Sequence, residues 1–458
     1  MNDNKMTSLE LRATWGLGAI FSLRMLGMFM VLPVLTTYGI FLRQANHTLI
    51  GLAIGMYGFA QSIFQIPFGL LSDRIGRKPI IIIGLILFFL GSIIAAITTS
   101  IWGIVWGRAL QGSGAIAAVI MALLSDLTRE QNRTKAMALI GLSLGVAFAL
   151  SLVLGPMITY KFGLHSLFWI TSILAIIGII ITLLFIPDSH ESILNRETHI
   201  VKSSIRAVLT NSKLLKLNIS IFYLHILLIS IFIVLPGQFE TLGLAMSEQW
   251  KIYLFTMLVS FIFVIPCIIY AEIMHRMKIV FISCILLISL TEIILWRMSN
   301  RFHILILCVQ LFFFAFNLLE AILPSLISKE SPVGYKGTAM GVYSTSQFLG
   351  SAIGGSMGGW VYEHFNAQIL FLVSALISIS WFFISLSIKE PIYTNSLRFI
   401  LSNKLLSITN LEVLLKEIPG VSSVLIVQEE KSLYIKVNSK IISRNELEKF
   451  LNNQIQNS

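Results

Sequence analysis

Apolar stretches of about twenty residues recur from one end of this chain to the other, as at 79–98 and 167–186, and they decide what it can fold into. A helix rising 1.5 Å per residue needs about 20 such residues to cross a hydrocarbon core roughly 30 Å thick. In lipid, only helices and closed barrels satisfy every backbone donor and acceptor. The alternation of apolar and polar positions that a barrel strand requires is missing from these stretches. The chain therefore reads as an all-α membrane protein. Composition agrees where it bears on the point: 56% of the 458 residues are apolar and 12% charged, against roughly 45–50% and 25% in soluble domains.

Twelve transmembrane helices are expected, near residues 12–36, 48–71, 79–98, 101–126, 134–160, 166–186, 217–241, 252–272, 279–296, 302–328, 338–362 and 367–388. The first keeps a polar Arg24 and has no small-residue cleavage site behind it, so it is read as a retained helix and not a signal peptide. Basic loops stay on the cytoplasmic side; seventeen Lys and Arg residues fall on one side of the expected spans and five on the other. Both termini are then cytoplasmic. The net charge of +11 follows from basic turns beside lipid headgroups, and no nucleic-acid partner is needed to explain it. Cys267, Cys284 and Cys308 lie in or at the edge of spans without metal-ligand spacing and read as small apolar residues.

The sequence matches itself at a constant offset of 203 residues: Phe29, Val31, Leu32 and Pro33 against Phe232, Val234, Leu235 and Pro236; Ala136 and Met137 against Ala339 and Met340; Gly155 against Gly358. A shared offset across several spans implies two six-helix bundles, at 1–190 and 214–390, joined by a cytoplasmic linker at 191–213. Transporters built from such parallel halves hold a small-molecule substrate near the midplane, at the interface of the repeats.

Between the second and third spans the chain reads Gly69-Leu-Leu-Ser-Asp73-Arg74-Ile-Gly76-Arg77-Lys78. This resembles the signature loop of the major facilitator superfamily. The resemblance implies a bacterial inner-membrane transporter, with Asp73 facing the start of the eleventh helix at 337–339 and Arg77 pairing with Asp126 as a conformational latch. A degenerate second copy, Glu272-x-x-His275-Arg276, keeps the acid-to-arginine spacing without the glycine, so the stronger latch is expected in the first half. Arg108-x-x-Gln111-Gly112-x-Gly114 resembles the family's fourth-helix segment, where the arginine is associated with proton transfer. Gly141-x-x-x-Gly145 followed by Gly155-Pro156 resembles the fifth-helix pattern of drug/proton antiporters and tilts the direction toward efflux. Small residues four apart also simply let helices pack.

Ionisable groups inside a bilayer survive where they face a cavity or a partner. Glu320, mid-span and flanked by apolar residues, is the leading candidate for a proton site, against a purely structural hydrogen bond. Arg24 is expected to face the cavity, binding an anionic group or pairing with Glu320. Arg108 and His225 are the remaining candidates for proton coupling, with His225 read more readily as a hydrogen-bonded cavity liner. Glu292 and Glu240 lie near span edges and are expected to reach water. The substrate cavity is assigned to Arg24, Met28, Tyr57, Gln61, Gln65, Phe316, Asn317 and Gln347, a mixed apolar and polar set suited to many amphiphilic solutes.

Beyond Pro391 the composition becomes that of a soluble domain, at 396–458, reading strand, helix, strand, strand, helix with a turn at 429–431 and the last helix at 444–451. Pro419-Gly420-Val421-x-x-Val424 resembles ferredoxin-like heavy-metal-associated domains, without an evident fourth strand. Those domains bind metal through C-x-x-C, and no Cys or His follows residue 389, so neither a metal nor another cofactor is expected. A regulatory contact or self-association is the reading left for it. No phosphate-binding loop, catalytic nucleophile setting or metal cluster is present in the sequence, which argues against an enzyme and a nucleotide-driven pump. Secondary transport is the expected function; a membrane ligand sensor relaying through the soluble tail, a uniporter and an importer are the alternatives.

Overall fold

The computed structural model describes residues 6–187, 202–332, 334–390, 395–401, 411–427, 432–437, 441–442 and 446–447. The first span is two helices, α1 (Ser8–Phe29) and α2 (Leu32–Tyr38). Then follow α3 (His47–Ile75), α4 (Arg77–Ile97), a second broken span α5 (Ile101–Ser113) and α6 (Ala117–Leu127), α7 (Glu130–Phe162) and α8 (Leu164–Leu184). A short helix α9 (Lys202–Thr210) leads into α10 (Ser212–Thr241), α11 (Gln249–Ile273), α12 (Met277–Met298), α13 (Phe302–Glu330), α14 (Lys336–His364) and α15 (Ala367–Leu386). Apart from α9, most of the expected linker lies outside the described residues.

Eleven of the spans are long and apolar enough to cross a membrane by themselves. The twelfth, α14, is long enough at 29 residues but carries seven glycines, because it is built to pack against helices and not lipid. Side chains turned away from the bundles, such as Ile63, Trp106, Ile173, Leu183, Ile262, Phe263 and Phe383, are exposed and apolar. A surface of that kind belongs in hydrocarbon.

The two breaks have different causes. Pro33 sits at the start of α2, where a missing N–H costs nothing. Its repeat mate Pro236 lies inside the unbroken α10, so the duplicated sequence does not give a duplicated kink. In the fourth span the chain leaves helical geometry at Gly114, whose Cβ would lie 2.2 Å from the carbonyl oxygen of Gly84 on α4.

Within the first half α1 packs on α7 and α8, and α5 on α3 and α4; within the second, α10 packs on α14 and α15, and α12 on α13 and α15. The halves meet chiefly through three helix pairs, α3 with α14, α2 with α10, and α7 with α11. One apolar core runs across this boundary and joins Met30, Leu35 and Phe148 of the first half to Phe232, Phe313 and Phe316 of the second.

Past α15 come β1 (Asn395–Ile400), α16 (Leu411–Lys416), β2 (Val421–Val427) and β3 (Ser432–Val437). The strands form one antiparallel sheet in the order β1-β3-β2, with Ile435 opposite both Leu397 and Val424. This is the ferredoxin-like order for the elements expected. Gly420 at φ +94° makes the entry to β2. The expected turn at 429–431 and, except for two helical residues at 446–447, the expected helix at 444–451 lie outside the described residues.

Candidate functional site

At the end of the membrane domain that carries the chain termini, Arg77 opens α4 and lies 2% exposed between two acids. It forms an ion pair with Asp73, one turn earlier, its Nε is 3.3 Å from Asp126 Oδ2 at the end of α6, and its Nη1 donates to Ser72 Oγ. Gly76 joins α3 to α4 at φ +103°, ψ 154°, a backbone conformation essentially reserved for glycine. Gly69 is buried, and its carbonyl accepts from Ser72 Oγ at 2.7 Å.

The second copy keeps the turn and loses the pair. His275 adopts φ +53° where the first copy has Gly76. Glu272 accepts instead from Lys329 Nζ of α13 at 2.7 Å, and Arg276 is exposed at the start of α12. The expected Glu272 and Arg276 latch is therefore replaced by a half-exposed bridge to a different helix.

Inside the first half, Tyr57, Gln61 and Gln65 stand four residues apart on α3 and are all at most 1% exposed. Arg24 of α1 donates from Nη2 to Gln61 Oε1 at 2.7 Å and lies 5.9 Å from the ring centroids of Tyr57 and Phe88. Arg108 of α5 lies 4.5 Å from the Tyr57 ring on its guanidinium carbon. It donates to Gln111 Oε1 at 3.1 Å, and Gln111 donates to Ser92 Oγ at 2.7 Å. Arg24 is enclosed, as is Met28, and the expected pairing of Arg24 with Glu320 is not made.

In the second half, Glu320 of α13 meets His225 of α10 and Gln347 of α14. Gln347 Nε2 donates to Glu320 Oε1 at 2.9 Å and lies 3.0 Å from His225 Nε2. The His225 Nδ1 is 3.3 Å from the carbonyl oxygen of Ile221, which can only accept, so Nδ1 carries the hydrogen and Nε2 accepts from Gln347. Glu320 Oε2 lies 3.9 Å from His225 Nε2, and the glutamate side chain is 36% exposed although it stands mid-span. Phe316, one turn from Glu320, packs against His225 at 5.9 Å and against Phe148 of α7 at 5.8 Å, and Phe148 packs on Phe29 of α1 at 4.8 Å. A line of rings thus ties the carboxylate's surroundings to the opposite half. Asn317 is buried and turns its amide to Met257 Sδ at 3.7 Å.

At the end remote from Arg77 the halves are joined closely. A Cβ on Gly51 would lie 2.3 Å from the Gly355 carbonyl oxygen, one on Gly55 2.5 Å from that of Ala352, and one on Gly58 2.6 Å from that of Phe348. The first amide of α3, at His47, donates to Glu363 Oε2 of α14 at 2.7 Å, which places an acid from one half at a helix N-terminus of the other. Within the first half, Gly155 lets α7 approach the break in the first span, since its Cβ would meet the Met30 carbonyl oxygen at 2.5 Å; Pro156 follows it inside α7. Gly141 has open space where a Cβ would stand, and Gly145 meets only Phe261 at ordinary contact distance. The expectation that this pair packs helices closely is corrected: neither is required by a neighbour.

One acid was missed from sequence and another misjudged. Glu10 accepts from the Arg129 backbone N–H at 2.8 Å, from Arg129 Nε at 3.0 Å and from Asn132 Nδ2 at 3.1 Å, clasping the start of α1 to the α6–α7 turn. Its one sequence signal is the capping box Thr7-x-x-Glu10, which also forms. A cleft of about 310 Å³ lined by Glu10, Asp126 and Arg129 lies beside the Arg77 network. Glu292, expected to reach water, is 1% exposed on α12, with neither oxygen bonded.

Paired bundles of six spans, joined chiefly by three helix pairs, define a membrane transporter, not an enzyme. The chain belongs to the major facilitator superfamily, whose family model matches residues 17–355 and 277–417. The tail matches the YajR YAM domain over 397–453. The chain is 59% identical over 448 residues to the inner membrane transport protein YajR of Escherichia coli (strain K12), covering 98% of this chain and 99% of that one. It is 30% identical over 186 residues to the class B tetracycline resistance protein of Escherichia coli, across 38% of this chain and 44% of that one. Among solved structures, a mutant form of the nucleoside transporter NupG superposes with a TM-score of 0.65 at 14% identity, covering 82% of this chain and 99% of that one; that likeness concerns the fold alone.

Proposed function

We propose that the protein is a proton-coupled exporter of small amphiphilic solutes in the bacterial inner membrane, working by alternating access. The observation that carries this reading is Glu320, a mid-span carboxylate bonded to Gln347 and 3.9 Å from His225, whose side chain is 36% exposed. An acid in the interior is retained where it works, and one that is both enclosed and reachable can exchange a proton with either side as the halves rock. The Arg77 network with Asp73 and Asp126 holds one end of the first half in register, and its rearrangement is the step that separates the two access states. Partial similarity to a tetracycline resistance protein supports outward transport, and the YajR relative supports the inner-membrane location. In proteoliposomes bearing a pH gradient, solutes that drive proton movement through the native protein should fail to do so through Glu320→Gln, while solute counterflow without a gradient persists. Undiminished proton movement in that variant would remove Glu320 from the coupling step.

A further inference from the structure

Two buried guanidinium groups of the first half, those of Arg24 and Arg108, have no acid beside them among the described residues. Arg24 and Arg108 are 2% and 0% exposed, and both lie within 6 Å of the same Tyr57 ring. Between residues 11 and 187 the acids are Asp73, Asp126 and Glu130. Asp73 and Asp126 are engaged with Arg77 at the end of the bundle, and Glu130 opens α7 at that same end. The two arginines are met only by glutamine oxygens and ring faces, since Arg24 bonds Gln61 and Arg108 bonds Gln111. A buried cation without a counter-charge is strongly disfavoured.

The unbonded polar atoms have a consistent sign. Arg24 Nε and Nη1, Arg108 Nε, Gln61 Nε2 and the Tyr57 hydroxyl are all buried without a partner, and each can donate. Gln65 Oε1 is the acceptor beside them. These side chains come from α1, α3 and α5, with the Phe88 ring of α4 as an apolar wall.

We propose that this cluster is the receptor for the anionic head of the transported solute, an oxyanion such as a carboxylate carried on an apolar or aromatic body. The cluster's donors bond the oxyanion, the guanidiniums balance its charge, and the Tyr57 and Phe88 rings take the adjoining apolar part. This rests on the transport reading and narrows it to acidic amphiphiles; it does not depend on Glu320, which stands in the other half.

The test is thermal melting of the purified full-length protein in detergent with three probes at matched ionic strength: benzoate, inorganic phosphate and tetraphenylphosphonium. Benzoate is expected to raise the melting temperature in a saturable way. In Arg24→Gln and Arg108→Gln its half-saturating concentration should rise at least tenfold, with Arg24→Lys intermediate. Because those variants can fail to fold, Gln61→Glu supplies a second reading. It places a carboxylate 2.7 Å from Arg24 Nη2 in the position of the amide oxygen, so it should melt higher than the native protein without ligand and lose the benzoate response. A response to phosphate alone would reassign the cluster to an inorganic ion and overturn the proposal. A response to tetraphenylphosphonium alone, or a benzoate response unchanged in Gln61→Glu and Arg24→Gln, would overturn it as well. None of these readouts involves a proton gradient, so proton coupling through Glu320 stands or falls separately.

Discussion

At the scale of the residue, the two copies of the acid-to-arginine spacing show how burial decides what a charge is worth. Arg77 is 2% exposed and Asp126 5%, so removing one partner leaves a guanidinium under-satisfied in a dry place, which costs about 1–3 kcal/mol. Glu272 is half exposed in its bridge to Lys329, and surface pairs of that kind contribute about 0–1 kcal/mol. Asp126→Asn should accordingly lower the melting temperature clearly and Glu272→Gln hardly at all. Equal losses in the two variants would mean that the second copy also latches. The spacing was legible in the sequence in both places, and so was the role of Gly76. The partner of Glu272 was not, because Lys329 comes from α13, and only the packed bundle brings them together. Glu292 was misread for a related reason: position along a helix says how deep a residue lies, while its facing decides whether water reaches it.

At the scale of the element, eleven spans among the described residues are long and apolar enough to cross a membrane, whereas α14, expected at 338–362 with the others, falls short on hydropathy. The glycines that depress its hydropathy are those that let α3 and α10 approach, and four of them, Gly350, Gly354, Gly355 and Gly359, would put a Cβ within 2.6 Å of a carbonyl oxygen on α10 or α3. The break at Gly114 was not legible, since it reflects the approach of the α4 backbone; Pro33 beside the first break is visible in the sequence, but its repeat mate Pro236 lies in an unbroken helix. The glycine contacts make a prediction about gating. Gly51→Leu drives a side chain into the Gly355 carbonyl and must part α3 from α14 at the end remote from Arg77. In a background lacking Cys267, Cys284 and Cys308, maleimide labelling of Ser356→Cys should then rise several-fold. Labelling that stayed at the level of the parent would show that this seam is not a gate.

At the scale of the whole molecule, the soluble tail is fastened to the end of α13. Lys436 of β3 donates to the carbonyl oxygens of Lys329 and, at 3.0 Å, Ser331, where α13 ends and its last carbonyls look for donors. Nine residues back along the same helix stands Glu320, so whatever shifts α13 during transport is felt by the tail, and the reverse holds by linkage. Such a contact would be the physical route of any regulation through the tail. A cation at a helix C-terminus is worth about 0.3–1 kcal/mol, and losing it should loosen the final turn by a corresponding factor. Lys436→Ala is therefore expected to speed amide exchange at 327–331 by roughly two- to fivefold while leaving the middle of α13 unaffected. Exchange at those amides that matched the native rate would mean that the sheet rests against the bundle without holding it, and that the tail acts through some other surface.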